Sequence, residues 1–159
     1  MKISTRGRYA VMAMVELARQ SEYDMSLPVK LVSISQAQDI SLQYLEKIFA
    51  DLRQFGLVES VRGKNGGYLL SLAPDALFLS QIIDAVDEPV DVTRCKSGAG
   101  CSIKAGRCMT HDLWSQLSSH IRGFFDAVSL QDVLRGDVRT MFMDEVSSIE
   151  NDKLEARVL

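Results

Sequence analysis

The three cysteines of this 159-residue chain fall within one short stretch, Cys95-x5-Cys101-x6-Cys108, and His111 follows after two intervening residues. Three soft thiolates and one imidazole can close a tetrahedral zinc site, or supply the four protein ligands of a two-iron cluster. Arg94, Lys96, Lys104 and Arg107 stand around them, where positive charge offsets an anionic centre and favours thiolate over thiol. Gly98, Gly100 and Gly106 let the backbone fold around such a centre. An odd number of cysteines confined to one loop is a poor disulfide framework. Unligated cysteines are normally buried as small apolar residues, and these sit among glycines and charges instead. Zinc sites usually contain a close cysteine pair, whereas here only Cys108 and His111 are close. Spacing alone therefore leaves zinc and iron–sulfur chemistry both open.

The elements that would position this loop can be read along the chain. Residues 5–20 carry Ala10, Met14 and Leu17 on one helical face, with Ser4 or Thr5 able to cap the start. Residues 29–38 form a weaker helix, since their β-branched residues would also permit a strand. Ser41 is placed to cap a helix over 42–54 that buries Leu42, Leu45, Phe49 and Leu52, with Gly56 as its stop. Two helices separated by Asp39 and Ile40 have the dimensions of a helix-turn-helix. Two short strands, 57–62 and 68–72, flank the turn run Gly63-Lys64-Asn65-Gly66-Gly67, so a β-hairpin wing follows directly. A helix beginning near Leu79 runs to 86.

The expected fold is mainly α with a small β-wing: a winged helix-turn-helix DNA-binding domain over 1–86, a metal-binding loop over 87–110, a long dimerisation helix and short closing helix over 111–136, and a partly ordered tail over 137–159. Thr110 is placed to cap the long helix. Trp114, Leu117, Ile121, Phe124 and Val128 recur at spacings of 3, 4, 3 and 4, a heptad seam suited to a homodimer. Gly123 interrupts that helix and suggests close approach of a neighbour. Ser129 and Asp132 form a capping box for the closing helix, which ends near Gly136.

Charge is a weak guide. Residues 1–70 hold 9 Lys/Arg against 7 Asp/Glu, and residues 71–159 hold 9 against 14. A DNA-binding claim must therefore rest on individual side chains. In a helix-turn-helix the second helix enters the major groove and reads with residues near its N-terminus. Here these are Ser41, Gln43, Tyr44, Glu46 and Lys47. Gln43 can pair with adenine, Lys47 can reach guanine or phosphate, and Glu46 can accept from cytosine. Arg62 and Lys64 flank the wing tip, and Arg6 and Arg8 open the first helix near where phosphates would lie. A symmetric dimer predicts double-stranded DNA with a pseudo-palindromic operator. No membrane-length apolar run and no signal-type leader are present in the sequence, so a cytoplasmic location is expected.

The stretches GRYAV (7–11), ISLQYLEKIFADLR (40–53), GLVESVRGKNGGYLL (56–70) and AVDEPVDVTRC (85–95), closed by Cys108-Met-Thr-His111, resemble the IscR family of iron–sulfur cluster regulators. The resemblance runs from about residue 1 to 136. It implies a homodimeric winged-helix transcriptional regulator, repressor or activator, with one [2Fe-2S] cluster per subunit. It also implies that Cys95, Cys101, Cys108 and His111 are the ligands and that cluster-biogenesis genes are the targets. This chain has six residues between its second and third cysteines, one more than the family pattern, and Asp87, Glu88 and Asp91 are alternative fourth ligands nearby. A zinc-stabilised winged-helix regulator is the alternative reading. A redox enzyme is a more distant one, because GKNGG lies in a hairpin turn rather than between strand and helix, and no catalytic arrangement is legible.

Overall fold

The computed structural model describes residues 4–86 and 109–138. Cys95, Cys101, Cys108, most of the expected 87–110 loop and the tail from 139 onward lie outside the described residues.

Helix α1 spans Thr5–Gln20, and Ser4 caps it by accepting from the N–H groups of Arg6 and Gly7. The expected face of Ala10, Met14 and Leu17 is fully buried, and Gly7, Ala13 and Ala18 widen it. Helix α2 spans Leu31–Gln38 and starts later than the sequence suggested. Val29 takes the strand alternative instead: it exchanges two backbone hydrogen bonds with Tyr68, at 2.9 and 2.8 Å. Asp39 ends α2 in the left-handed region, with φ of 51°. Ser35 Oγ then donates to the Ile40 carbonyl at 2.6 Å, which holds the turn closed over the buried Ile40 side chain.

Helix α3 spans Leu42–Gln54, with Ser41 as its N-cap, as expected. Leu45, Phe49 and Leu52 are buried, and so is Ile48, which the expected face omitted, whereas Leu42 is only half-buried. The stripe is broad because α3 touches α1, α2, α4 and the first strand at once. Gly56 adopts φ of 76° and lets the Leu57 N–H close back onto the Leu52 carbonyl at 2.9 Å.

Strands β1 (Val58–Val61) and β2 (Gly67–Leu70) form an antiparallel hairpin with Val58 opposite Leu70 and Val61 opposite Gly67. Gly63 supplies the positive φ at the turn. Gly67 lies so close to the Val29 carbonyl that a Cβ there would be 2.3 Å from its oxygen. The wing is thus a hairpin with a third backbone segment bridged to its second strand.

A short 3-10 turn at Pro74–Ala76 leads to α4 (Leu79–Ala85). Helix α5 spans His111–Ala127 and α6 spans Leu130–Arg135. Thr110 does not cap α5 as expected: its backbone, at φ −98° and ψ 5°, is not extended, and its side chain makes no capping bond. The Ser129–Asp132 capping box of α6 is present in both directions, and Gly136 closes the helix in the left-handed region.

The C-terminal segment is stitched to the N-terminal core. The Leu79 N–H donates to the Val128 carbonyl at 2.9 Å and the Leu130 N–H to the Leu77 carbonyl at 2.8 Å. Val128 and Leu130 are fully buried, and Phe125 nearly so, in the same core as Met14, Leu17 and Phe49. The core therefore draws on residues from both sides of the expected boundary at 86. Leu130→Ala should cost roughly 2–5 kcal/mol of global stability, the range for truncating a buried leucine, read from urea unfolding. A loss below about 1 kcal/mol would mean that α6 frays without disturbing the core.

Candidate nucleic-acid interface and metal centre

The broad buried stripe of α3 dictates what its opposite side displays. Gln43, Glu46 and Lys47 are exposed along that side, and Ser41 is exposed at its start. Tyr44 differs: it is half-buried, and its ring meets Tyr9 edge-on with centroids 5.8 Å apart. The Arg8 guanidinium lies 6.0 Å from the Tyr9 ring centre. The start of α1 and the start of α3 are therefore joined by an Arg8–Tyr9–Tyr44 stack. Arg6, expected near phosphates, is held by Asp51 of α3 in an exposed ion pair. Arg62 and Lys64 are exposed at the wing. Of the residues singled out for DNA, those on α1 and α3 thus lie on elements that pack together, and Arg62 and Lys64 project from the hairpin that follows α3.

A second polar feature carried no sequence signal. Glu16 on α1 is only 4% exposed, yet its carboxylate is fully engaged. Oε1 accepts from Arg19 Nη2 and Gln20 Nε2, both at 2.6 Å; Oε2 accepts from Arg19 Nε and from Gln38 Nε2, both at 3.0 Å. Gln20 in turn accepts from Ser33 Oγ at 2.7 Å. The network ties the end of α1 to both ends of α2, and so sets the helix that precedes the turn into α3. Arg19, then Gln20 and Gln38, hold the Glu16 carboxyl below the usual glutamate range against the opposing effect of burial. An i, i+3 Glu–Arg pair on a helix ordinarily reads as a solvated surface pair, which is why the buried carboxylate was not foreseen.

His111 is the first residue of α5 and is half-buried. It follows Cys108 by three residues, which limits their Cα separation to roughly 10 Å even in extended chain. Among the described residues no group of three or more His, Cys, Asp or Glu side chains could hold a metal ion. A metal centre at His111 thus requires donors from outside them, and the cysteine thiolates have the right softness for zinc or iron–sulfur.

The expected dimer seam on α5 divides in two. Trp114 and Leu117 are 37% and 40% exposed, with Leu113 beside them at 60%. Ile121 and Phe124 pack against the chain's own core, and Val128 is buried in it. Among the described residues, apart from its chain neighbours and the adjoining helix backbone, nothing lies within 4 Å of where a Gly123 Cβ would be, so the close neighbour inferred there is not found among them. Arg122, unnoticed in the sequence, reaches back to Asp84 of α4 with two bonds of 2.7 Å.

Known transcriptional regulators share this architecture. The family model for Rrf2, described as an iron-dependent transcriptional regulator, matches residues 3–136. The chain is 48% identical over 134 residues to an HTH-type transcriptional regulator IscR of Aliivibrio salmonicida, covering 84% of this chain and 77% of that one. It is 43% identical over 156 residues to the IscR of Photorhabdus laumondii, covering 98% and 91%. Among solved structures, the CymR (YrzC) global cysteine regulator of B. subtilis superposes with a TM-score of 0.71 at 32% identity, covering 85% of this chain and 97% of that one. T. potens IscR gives 0.69 at 34% identity, covering 86% and 88%.

The Glu16 network predicts an acid dependence of stability. Because its folded pKa is depressed, its contribution is present above the ordinary glutamate value and is lost as pH falls through the lower folded value. Glu16→Gln should be less stable than the parent near neutrality by roughly 1–3 kcal/mol, and the gap should narrow as pH falls below the usual glutamate range. A gap that does not change with pH in chemical denaturation would assign the stabilisation to packing.

Proposed function

Since this chain belongs to the Rrf2 family of iron-dependent transcriptional regulators and groups with its IscR members, we propose that it is a DNA-binding regulator that senses iron–sulfur cluster status and controls genes of cluster biogenesis. One observation carries the reading: His111, the fourth member of the donor set, opens the helix whose other end is stitched into the core that holds the recognition helix. Ligation at that residue would act on the orientation of α5 relative to α3.

Cys95, Cys101, Cys108 and His111 would hold one [2Fe-2S] cluster per subunit. When bound, that group supplies an iron- and oxidant-labile crosslink. Arg94, Lys96, Lys104 and Arg107, close to the cysteines in sequence, would offset the negative charge of the thiolates and cluster, and His111 would offer a ring nitrogen from the first turn of α5. By linkage, cluster occupancy changes operator affinity only as far as cluster affinity differs between free and DNA-bound protein.

On DNA, α3 would lie in the major groove of double-stranded DNA, with Gln43 on adenine, Lys47 on guanine or phosphate and Glu46 on cytosine. Ser41, Tyr44, Arg6 and Arg8 would steady the backbone, Arg6 sharing its charge between phosphate and Asp51. Arg62 and Lys64 would follow the minor groove. Trp114 and Leu117, with Ile121 and Phe124 behind them, would form the homodimer seam, so that two recognition helices meet a pseudo-palindromic operator in the cytoplasm.

Anaerobically purified protein should be brown with visible charge-transfer bands, and His111→Ala should shift those bands or lose iron while Cys95→Ala abolishes them. A colourless protein with one zinc per chain would overturn the cluster. For DNA, selection from a random-sequence duplex pool should return a pseudo-palindrome. Gln43→Ala should then cost about 1–3 kcal/mol on that duplex and relax one position, whereas Lys47→Ala should weaken all duplexes and lower the salt slope by about 1. Unchanged selectivity in Gln43→Ala together with unchanged affinity and salt slope in Lys47→Ala would remove α3 from the reading head.

A further inference from the structure

Helix α5 is anchored unevenly. Phe125 near its end and Val128 just past it sit in the core, while Leu113, Trp114 and Leu117 near its start are exposed. Among the described residues, α5 packs chiefly on α4. Midway along, the Arg122 Nη1 and Nη2 atoms each donate at 2.7 Å to one carboxylate oxygen of Asp84, in the last turn of α4. The remaining edge of the guanidinium is also used: Nε donates to Asp126, one turn on, at 3.2 and 3.3 Å. Asp126 thereby orients the fork before it meets Asp84.

We propose that the Asp84–Arg122 pair is a positioning clasp, which fixes the angle of α5 on the winged-helix core and so selects the half-site spacing of the operator. The inference rests on the homodimer reading above. Isolated exposed ion pairs contribute little, but a two-pronged arginine–carboxylate pair is the geometry that does hold an orientation. Its leverage is large. His111 lies eleven residues before Arg122, roughly 16 Å along the helix at 1.5 Å per residue. A tilt of about 10° at the clasp would swing that end by roughly 3 Å over this length, close to the 3.4 Å or so between successive base pairs. The arm bearing Trp114 and Leu117 is what a second copy would grip. An error in its angle becomes an error in the separation of the two recognition helices.

The test uses the full-length protein and the duplex recovered by wild-type selection, with one base pair added to or removed from its centre. Affinity for the native spacing is divided by affinity for the altered one, so the shared phosphate contribution cancels. Arg122→Met should lower this ratio roughly fivefold, as expected for losing one well-formed pair in each subunit. The exchanged pair, Asp84→Arg with Arg122→Asp, should restore most of it. The wild-type ratio should also fall between low and high salt, and that of Arg122→Met should not. If Arg122→Met does not fold by thermal melting, Arg122→Lys, which keeps stem and charge without the fork, replaces it. Unaltered discrimination in the variant overturns the clasp, and so does failure of the exchanged pair to restore it. Sedimentation keeps the two levels apart: a monomeric wild type overturns the homodimer reading and the clasp with it, whereas a dimeric wild type indifferent to spacing overturns the clasp alone.

Discussion

Everything in this molecule rests on how closely other elements approach the first helix. Gly7, Ala10, Ala13 and Ala18 keep one side of α1 low, and Met14 and Leu17 fill the gaps between them. Helices α2, α3, α4 and α6 and strand β2 all pack on α1. Small side chains permit short interaxial distances, and large ones at those positions would push several elements apart at once. The orientation of α3 is thus a property of the hub rather than of the helix-turn-helix alone.

Two further contacts make that orientation definite. Phe49, fully buried on α3, meets Tyr68 of the wing with ring centroids 4.7 Å apart. Tyr9 meets Tyr44 on the other side of the same helix. Helix α3 is held between two aromatic contacts, one towards α1 and one towards β2, while its polar side stays open. The Glu16 network adds a directional restraint on α2 that apolar packing lacks, because each of its hydrogen bonds has a required geometry.

Much of this was legible in the residues. Caps at Ser4, Ser41 and Ser129, the stops at Gly56 and Gly136, and the glycine-rich wing turn all act locally, so short windows of sequence reveal them. What was hidden is what depends on distant partners. Val29 chose a strand-like pairing because Tyr68, 39 positions later, offers both a donor and an acceptor. Thr110 looked like a cap by type, but its backbone is not extended there. Asp84 and Arg122 are 38 residues apart, and nothing in either neighbourhood announces the other. For the site, the exposure of Gln43, Glu46 and Lys47 followed from helical period, whereas the half-burial of Tyr44 followed from Tyr9. The cysteine constellation, outside the described residues, is readable as a candidate donor set by type and order alone.

The bridge between Val29 and Tyr68 changes what kind of object the wing is. A hairpin tied only at its own strand ends can sway about that base like a flap. This one is also fastened through Tyr68 to the segment entering α2, and Gly67 is packed against the same backbone. Two attachment points leave it a narrow cone of motion. The conformational freedom that a loose hairpin would surrender on meeting another surface has here been lost during folding. Arg62 and Lys64 are carried on a strut, and any change at Val29 would be felt at the wing before it was felt in the helix-turn-helix.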